Sequence, residues 1–254
     1  MKNVIHPDYK KIADYIVSIP SRFQKKEGEM IHDGRNKVMA FEHEGIRMVV
    51  KRFKDVNPVQ RVVYTFFRKT KAERAYLYAE KLRTRGIDTP HEIAFLEKKK
   101  GFLFITGYFV CLSCENPPVF PALASSAEFD REIATDLVAF IVEMHRKGIL
   151  FGDLNFGNFL YKKGEDGHYH FTVIDTNRSH FLDTAPSREE CLKNLRTMTH
   201  HRNLFRFMLR EYARLQGWNE GETVREAFRY LFLFEKEHDR KRQWQNKMKI
   251  KRQI

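Results

Sequence analysis

One stretch of this 254-residue chain places two carboxylates and an amide where phosphoryl-transfer chemistry would use them. Gly152-Asp153-Leu154-Asn155-Phe156-Gly157-Asn158 follows a helical pattern directly, and the apolar run Thr172-Val173-Ile174 ends in Asp175. Moving a phosphoryl group takes one carboxylate to orient the attacking hydroxyl and accept its proton, and an Asn with a second Asp to hold magnesium against the nucleotide phosphates. Taken singly, Asp153 and Asn158 suit a turn and Asp175 a strand-end cap, for local hydrogen-bonding reasons. Their combination on a helix-loop-strand-turn-strand frame favours the catalytic reading. Well upstream, Met48-Val49-Val50-Lys51 ends an apolar run in a lysine. Alternation puts Val49 and Lys51 on one face, so that Val49 can roof an adenine while Lys51 reaches phosphates. Lys54, beyond the run, points to the other face, and a strand-end lysine alone is usually just solvated.

Hydrophobic periodicity supplies the elements that must position these residues. A short amphipathic helix is expected over roughly 8–18, then strands over 37–43 and 46–53 joined at Glu44-Gly45, with an earlier tight turn at Asp33-Gly34. Thr70 to Arg85 reads as a helix ended by Gly86, followed by a hairpin of Ile93–Leu96 and Phe102–Tyr108 around Lys98 to Gly101. From about residue 110 the pattern turns helical: Phe129, Ile133, Leu137, Phe140, Ile141 and Met144 share one face of a helix that Gly148 ends. Ser125 with Glu128, Ser187 with Glu190 and Thr223 with Glu226 have capping-box spacing. The fold class is therefore α+β, with mixed strands and one prominent helix in the first half and mostly helix in the second, interrupted by a strand-loop-strand insertion over 150–181.

Composition narrows the setting. At 42% hydrophobic content the chain can bury a substantial core. Charges at Lys2, Asp8, Lys10 and Lys11 leave no room for a signal peptide, so the mature protein is expected to start at Met1. The longest apolar run, Phe102–Leu112, is far short of the roughly 18 residues a membrane span needs. Three cysteines give no disulfide framework and suit a reducing compartment, so a cytoplasmic location is expected. Cys111 and Cys114 form a C-x-x-C, without the further ligands that zinc requires. A formal charge of +13 implies an anionic partner: nucleic acid, nucleotide phosphates or an acidic membrane surface. No zinc-ligand array, glycine-flanked aromatic RNA-binding motif or helix-turn-helix pattern supports nucleic acid. The basic segment from Lys236 through Arg240, Lys241, Arg242, Lys247, Lys249, Lys251 and Arg252, with Trp244, Met248 and Ile250, suits either an interfacial anchor or a solvated tail.

Most of the chain resembles the Kdo/heptose lipopolysaccharide kinase family, a divergent branch of the protein-kinase-like fold. The resemblance rests on Val49-Val50-Lys51-Arg52-Phe53, Thr70-Lys71-Ala72-Glu73-Arg74, Gly86-Ile87-Asp88-Thr89-Pro90, Leu150 through Asn158, and Val173-Ile174-Asp175-Thr176-Asn177-Arg178. It implies a two-lobed kinase-like fold, with a nucleotide-binding lobe over 1–109 holding a small mixed sheet with one main helix, and a mostly helical catalytic lobe over 110–254. It implies ATP and magnesium, with transfer of the γ-phosphoryl group to a Kdo or heptose hydroxyl of the lipopolysaccharide core. It makes Asp153 the base, Asn158 and Asp175 the metal ligands, and Lys51 with Val49 the nucleotide contacts.

The chain departs from the kinase pattern in several places. Phe151 stands where His is common, and Thr176-Asn177 replace Phe-Gly after Asp175. Glu73 fits a cap with Thr70, which leaves open whether Glu73, Glu80 or neither pairs with Lys51. Asp33-Gly34-Arg35-Asn36 is either a phosphate loop or an ordinary hairpin turn. Only Thr176 to Pro186 separates Asp175 from the next helix, too little for a peptide-docking segment, so a small-molecule acceptor is favoured. The alternatives are an aminoglycoside-like kinase, whose cationic substrate the +13 charge disfavours, and a non-catalytic ATP-binding pseudokinase, which would be expected to lack one of Lys51, Asp153, Asn158 and Asp175. An anionic, lipid-linked sugar acceptor suits the charge best, with peripheral attachment to the inner membrane.

Overall fold

A computed structural model of the chain describes residues 2–123 and 128–250. It divides into two units, Met1–Asn116 with Thr172–Arg178, and Pro117–Phe171 with Ser179–Ile254. In the first, β1 (Asn3–Ile5), α1 (Ala13–Lys25), β2 (Glu29–Asp33), β3 (Lys37–His43) and β4 (Ile46–Arg52) are followed by α2 (Pro58–Phe66), α3 (Lys71–Thr84), β5 (Glu92–Lys100) and β6 (Leu103–Leu112). The strands form one sheet in the order β1-β5-β6-β4-β3-β2, and each adjacent pair is antiparallel. This corrects the expectation of a mixed sheet: β2 to β4 and β5 to β6 are joined by tight hairpins, which force antiparallel pairing. At the β3-β4 turn both Glu44 and Gly45 have positive φ, as a two-residue hairpin matched to strand twist requires.

Alternation along β4 decides which face each residue serves. Met48 and Val50 are fully buried in a core shared with Ile12, Ile16, Ile19 and Phe23 of the N-terminal segment. The opening helix is thus longer and later than expected, a 3-10 stretch over Pro7–Ile12 leading into α1, because the apolar stripe on Ile16, Ile19 and Phe23 continues to be buried past Ser18. Burying each such side chain contributes roughly 1.5–3 kcal/mol. On another part of the sheet, Ala72, Ala75 and Tyr76 of α3 cluster with Phe53 and Phe95. Thr70 caps α3 by accepting the Glu73 N–H at 3.1 Å and donates to the buried Glu97 at 2.8 Å. At its other end Arg83 grips fully buried Glu92 through two hydrogen bonds of 2.6 and 3.1 Å. Both ends of α3 are therefore pinned to β5.

The second unit comprises α4 (Phe120–Leu123), α5 (Arg131–Arg146), β7 (Ile149–Leu150), β8 (Phe159–Lys163), β10 (His180–Phe181), α6 (Arg188–Leu195), α7 (Arg202–Gln216) and α8 (Glu220–Ile250), with β9 (Tyr169–Val173) running into the first unit. Its core is built from Ile133, Leu137, Val138, Ile141 and Met144 of α5 with Leu204, Phe205, Met208 and Leu209 of α7. The capping box at Ser187 and Glu190 is present. Thr223 does not cap α8: Asn219 accepts the Glu222 N–H at 3.0 Å, one turn earlier, while Thr223 is buried inside the helix. Ser125 lies outside the described residues, and Asp130 caps α5 by accepting from the Ile133 N–H. Among the described residues no helix is long and apolar enough to cross a membrane.

At Gly107 on β6 the helix α3 comes close to the sheet: a Cβ there would lie 2.8 Å from Ala72 Cβ, a contact that a packed helix cannot relieve by rotating a side chain. Gly107→Ala should lower unfolding stability by about 1–3 kcal/mol in urea titrations, and an unchanged midpoint would show that α3 can shift away.

Candidate active site

In the first unit Lys51 lies one residue before the end of β4, opposite Val38 on one side and Phe109 on the other. Its Nζ lies 2.7 Å from Oδ2 of Asp175. Val49, two residues earlier on the same strand face, is half-buried. Asp175 has φ of 59°, left-handed backbone that Asp tolerates better than most residues. Its other carboxylate oxygen accepts from Asn177 Nδ2 at 2.5 Å, so the residue found in place of the usual glycine is part of what holds the aspartate.

The segment carrying Asp175 is sewn to the first unit by the Gly86–Pro90 turn. Gly86 has φ of 67°, and beyond it Asp88 O accepts the Val173 N–H at 2.9 Å. Thr89 Oγ1 donates to Val173 O at 2.7 Å, and Thr172 Oγ1 donates to the Asp88 carboxylate. Thr176 Oγ1 reaches Ala75 O of α3 at 3.4 Å.

Cations gather around Lys71, which lies near enough to this aspartate for their charges to interact. Burial holds Lys71, the first residue of α3, below the usual lysine range, reinforced by the charges of Arg35, Arg178 and Arg74 and opposed by Asp175. Arg35 comes from the Asp33–Asn36 turn, whose Asn36 side chain accepts the Lys54 N–H at 3.1 Å. Sequence reasoning missed Lys71 and the direction of Arg35; the only signal was their shared charge. Glu73 does not reach Lys51: its carboxylate binds Lys2 at 2.7 Å while its N–H serves the Thr70 cap. Glu80 is exposed, with its charge felt by Tyr76 and Arg83.

In the second unit, buried Phe151, Leu154 and Phe156 anchor the loop and leave Asp153 half-exposed between them. Asn155 accepts the Gly157 N–H at 2.9 Å, closing a 3-10 turn over Phe156–Asn158. Asn158 Nδ2 donates to Asp153 O at 3.0 Å, which leaves Oδ1 as the atom the amide can offer a cation. Oxygen donors of this kind, carboxylate and amide carbonyl, match the preference of magnesium.

The loop is held from beneath by a buried polar chain. Asn194 Nδ2 donates to Phe151 O at 2.8 Å, and its Oδ1 lies 3.0 Å from His145 Nε2. His145 Nδ1 is 2.7 Å from the Tyr212 hydroxyl, which accepts from Gln216 Nε2 at 3.1 Å. These contacts suit a neutral His145 that is protonated on Nε2 and accepts at Nδ1. Burial accordingly pulls its pKa down to about 4.

Burial pushes the Cys111 thiol up to about 12, far from the thiolate that metals and redox partners require. Among the described residues, the His, Cys, Asp and Glu side chains close enough to share an ion are His6, Asp8 and His91, and neither Cys111 nor Cys114 joins them.

The model of the lipopolysaccharide kinase (Kdo/WaaP) family matches residues 50–218, well over half of the chain and the span that holds Lys51, Asp153, Asn158 and Asp175. No curated protein matches the chain. Among solved structures, WaaP in complex with acyl carrier protein superimposes with a TM-score of 0.58 at 17% identity, covering 94% of this chain and 99% of that one. At that identity the likeness is one of fold, a fold shared widely enough that 1259 solved chains match it, so function must be argued from the site.

The neutral His145 has a measurable signature. Below its ordinary pKa of 6.5 the unfolded chain takes up a proton that the folded chain refuses until about pH 4. Stability should therefore be unaffected above pH 7 and fall through that window by on the order of 3 kcal/mol in addition to other titrations. The NMR titration of the His145 ring should show a neutral imidazole at pH 5; a midpoint near 6.5 would mean that the buried chain is not closed.

Proposed function

We propose, from the premise that this chain belongs to the lipopolysaccharide kinase (Kdo/WaaP) family, that it transfers the γ-phosphoryl group of ATP to a Kdo or heptose hydroxyl of the lipopolysaccharide core. The observation that carries this reading is the Lys51–Asp175 pair at 2.7 Å, with Lys71 near enough to feel Asp175 and the charges of Arg35, Arg178 and Arg74 acting on that lysine. The two side chains are 19% and 32% exposed, so the pair is open to a ligand from one side. It can be exchanged for phosphate and metal contacts, and a concentration of cations is what a polyphosphate needs.

Lys51 contacts the phosphates and Val49 lines the adenine, so the first unit holds the nucleotide. Asp153 accepts the proton of the sugar hydroxyl as its oxygen forms the new P–O bond and ADP leaves. Asn158 and Asp175 hold magnesium, which when bound would neutralise charge developing on the phosphates. Phe151 in place of His is tolerated because the loop carbonyl it would help to orient is already fixed by Asn194. A two-lobed kinase arrangement goes with this chemistry. The +13 charge fits a phosphorylated, lipid-linked acceptor and reversible association with an anionic membrane, and the free cysteines fit the cytoplasmic side where ATP is available.

Asp153→Ala should reduce transfer from ATP to purified core oligosaccharide by about 10² to 10⁴ with nucleotide binding intact. Parental turnover in that variant would remove the base assignment. Failure of the parent itself on every core acceptor, with nucleotide still bound, would favour the pseudokinase reading, and turnover of an aminoglycoside the other alternative. Asp175→Asn and Asn158→Ala should each raise the magnesium concentration needed for half-maximal rate, because each weakens or removes an oxygen ligand. Lys51→Met should weaken nucleotide binding without that shift. Superimposable magnesium curves for all of these proteins would count against the ligand set.

A further inference from the structure

Helix α2 is inside out. A surface helix ordinarily turns its apolar stripe to the core, yet none of the residues of α2 is buried. Val59 is 73% exposed and Phe66 61%, with Val62 and Val63 exposed beside them and the next residue, Phe67, at 80%. The side lying on the protein is the more polar one. Thr65 Oγ1 accepts the Phe104 N–H of β6 at 3.0 Å, the Tyr64 ring meets the Phe104 ring at 5.8 Å, and Arg61 Nε donates to Val56 O. Phe102, 69% exposed at the tip of the β5-β6 hairpin, brings its ring to 6.3 Å from that of Phe66. The two elements thus share one exposed apolar ridge, and a contiguous patch of this kind marks an interaction surface.

The rim says what the ridge meets. Lys54, Arg68 and Lys69 from the α2 side, and Lys98, Lys99 and Lys100 from the hairpin, are all exposed. From Val56 to Ala72 there is no acidic residue. The acids that flank this stretch are engaged elsewhere: Asp55 with Arg52, Glu73 with Lys2, and buried Glu97 with Thr70. Phenylalanines on an outward helix face with a basic margin are the composition of an interfacial helix, whose apolar side enters the bilayer while its cations meet anionic headgroups.

We infer that α2 and the Lys98–Phe102 hairpin tip form the membrane-docking surface of this protein, inserting Val59, Phe66, Phe67 and Phe102 into an anionic phospholipid bilayer while the lysines and arginines meet the headgroups. The inference rests on the peripheral-membrane part of the function proposed above and is independent of the phosphotransfer chemistry. It also relocates the contact: the basic segment after Lys236 is not required. Of that segment, Trp244 is exposed, while the side chains of Lys247, Met248, Lys249, Ile250, Lys251 and Arg252 lie outside the described residues.

Co-sedimentation of the full chain with vesicles of phosphatidylcholine, with and without phosphatidylglycerol, tests it. The parent should bind the mixed vesicles, less in high salt. F66S/F67S should weaken binding by at least about ten-fold, since each phenylalanine removed from an apolar setting is worth roughly ten- to a hundred-fold. K98E/K99E/K100E should weaken it further still, at about five-fold per lysine lost before repulsion is counted. R240Q/K241Q/R242Q should bind like the parent. All these side chains are exposed, so circular dichroism should show every variant folded. If F66S/F67S bound like the parent while R240Q/K241Q/R242Q did not, membrane association would stand and the α2 surface would be wrong. Equal binding to neutral vesicles would overturn the role of the basic rim. A parent that bound no vesicle would overturn both the inference and the peripheral reading, and self-association in sedimentation velocity, abolished by F66S/F67S, would then identify the ridge as an interface between copies of the chain.

Discussion

Asp175 holds a left-handed backbone that its surroundings over-determine. Lys51 and Asn177 hold its two carboxylate oxygens, and the peptides on its N-terminal side are fixed by Asp88 and Thr89. Each of these contacts imposes a condition elsewhere. Lys51 must leave β4 on the side opposite Met48 and Val50, which sets the register of the central strands. Asp88 and Thr89 must follow α3 at once, and Gly86, with its positive φ, makes the turn that delivers them. A helix, a hairpin and a segment more than a hundred residues downstream in the chain are thereby organised around one carboxylate. Local strain of this sort persists where neighbouring structure resists its relaxation.

The second unit meets a comparable demand by different means. Its loop must present Asp153 while most of its neighbours are apolar, and burying Phe151, Leu154 and Phe156 does the anchoring. Apolar anchors fix depth but not orientation, so the backbone needs a directional contact, which Asn194 supplies at Phe151 O. Asn194 is oriented in turn by His145, and His145 by Tyr212. A buried chain of this kind is secure only when every member is satisfied, and burial is what keeps the imidazole neutral.

Excess positive charge is distributed with purpose in the first unit. Burial, reinforced by the charges of Arg35, Arg178 and Arg74, depresses Lys71, an arrangement that an incoming anion would relieve. Arg83, by contrast, is committed to a fully buried carboxylate and serves the fold alone. Exposed lysines on the β5-β6 hairpin border an apolar ridge instead of an acid. Three populations of cations, similar in composition, thus have three different physical situations.

Local periodicity was enough to determine much of this protein. The alternation around Glu44-Gly45 fixes the β3-β4 hairpin and the face of Lys51; Thr70 and Gly86 bracket α3; Ser187 and Glu190 open α6. These features depend on residues a few positions apart, whose preferences survive without the rest of the chain. Other features were decided by tertiary structure. Thr223 and Asn219 both have capping chemistry, and only the burial of Thr223 distinguishes them. Helix α2 escaped notice because it begins at a proline and carries β-branched and aromatic residues that read equally as strand or loop, and the outward direction of its apolar face has no signature in spacing. The proximity of Arg35 to Lys71, the assignment of Thr172–Arg178 to the first unit and the neutrality of His145 all depend on contacts between distant segments. A sequence records which residues have a given chemistry and at what period; which of them share a low-dielectric environment is settled when the chain folds back on itself.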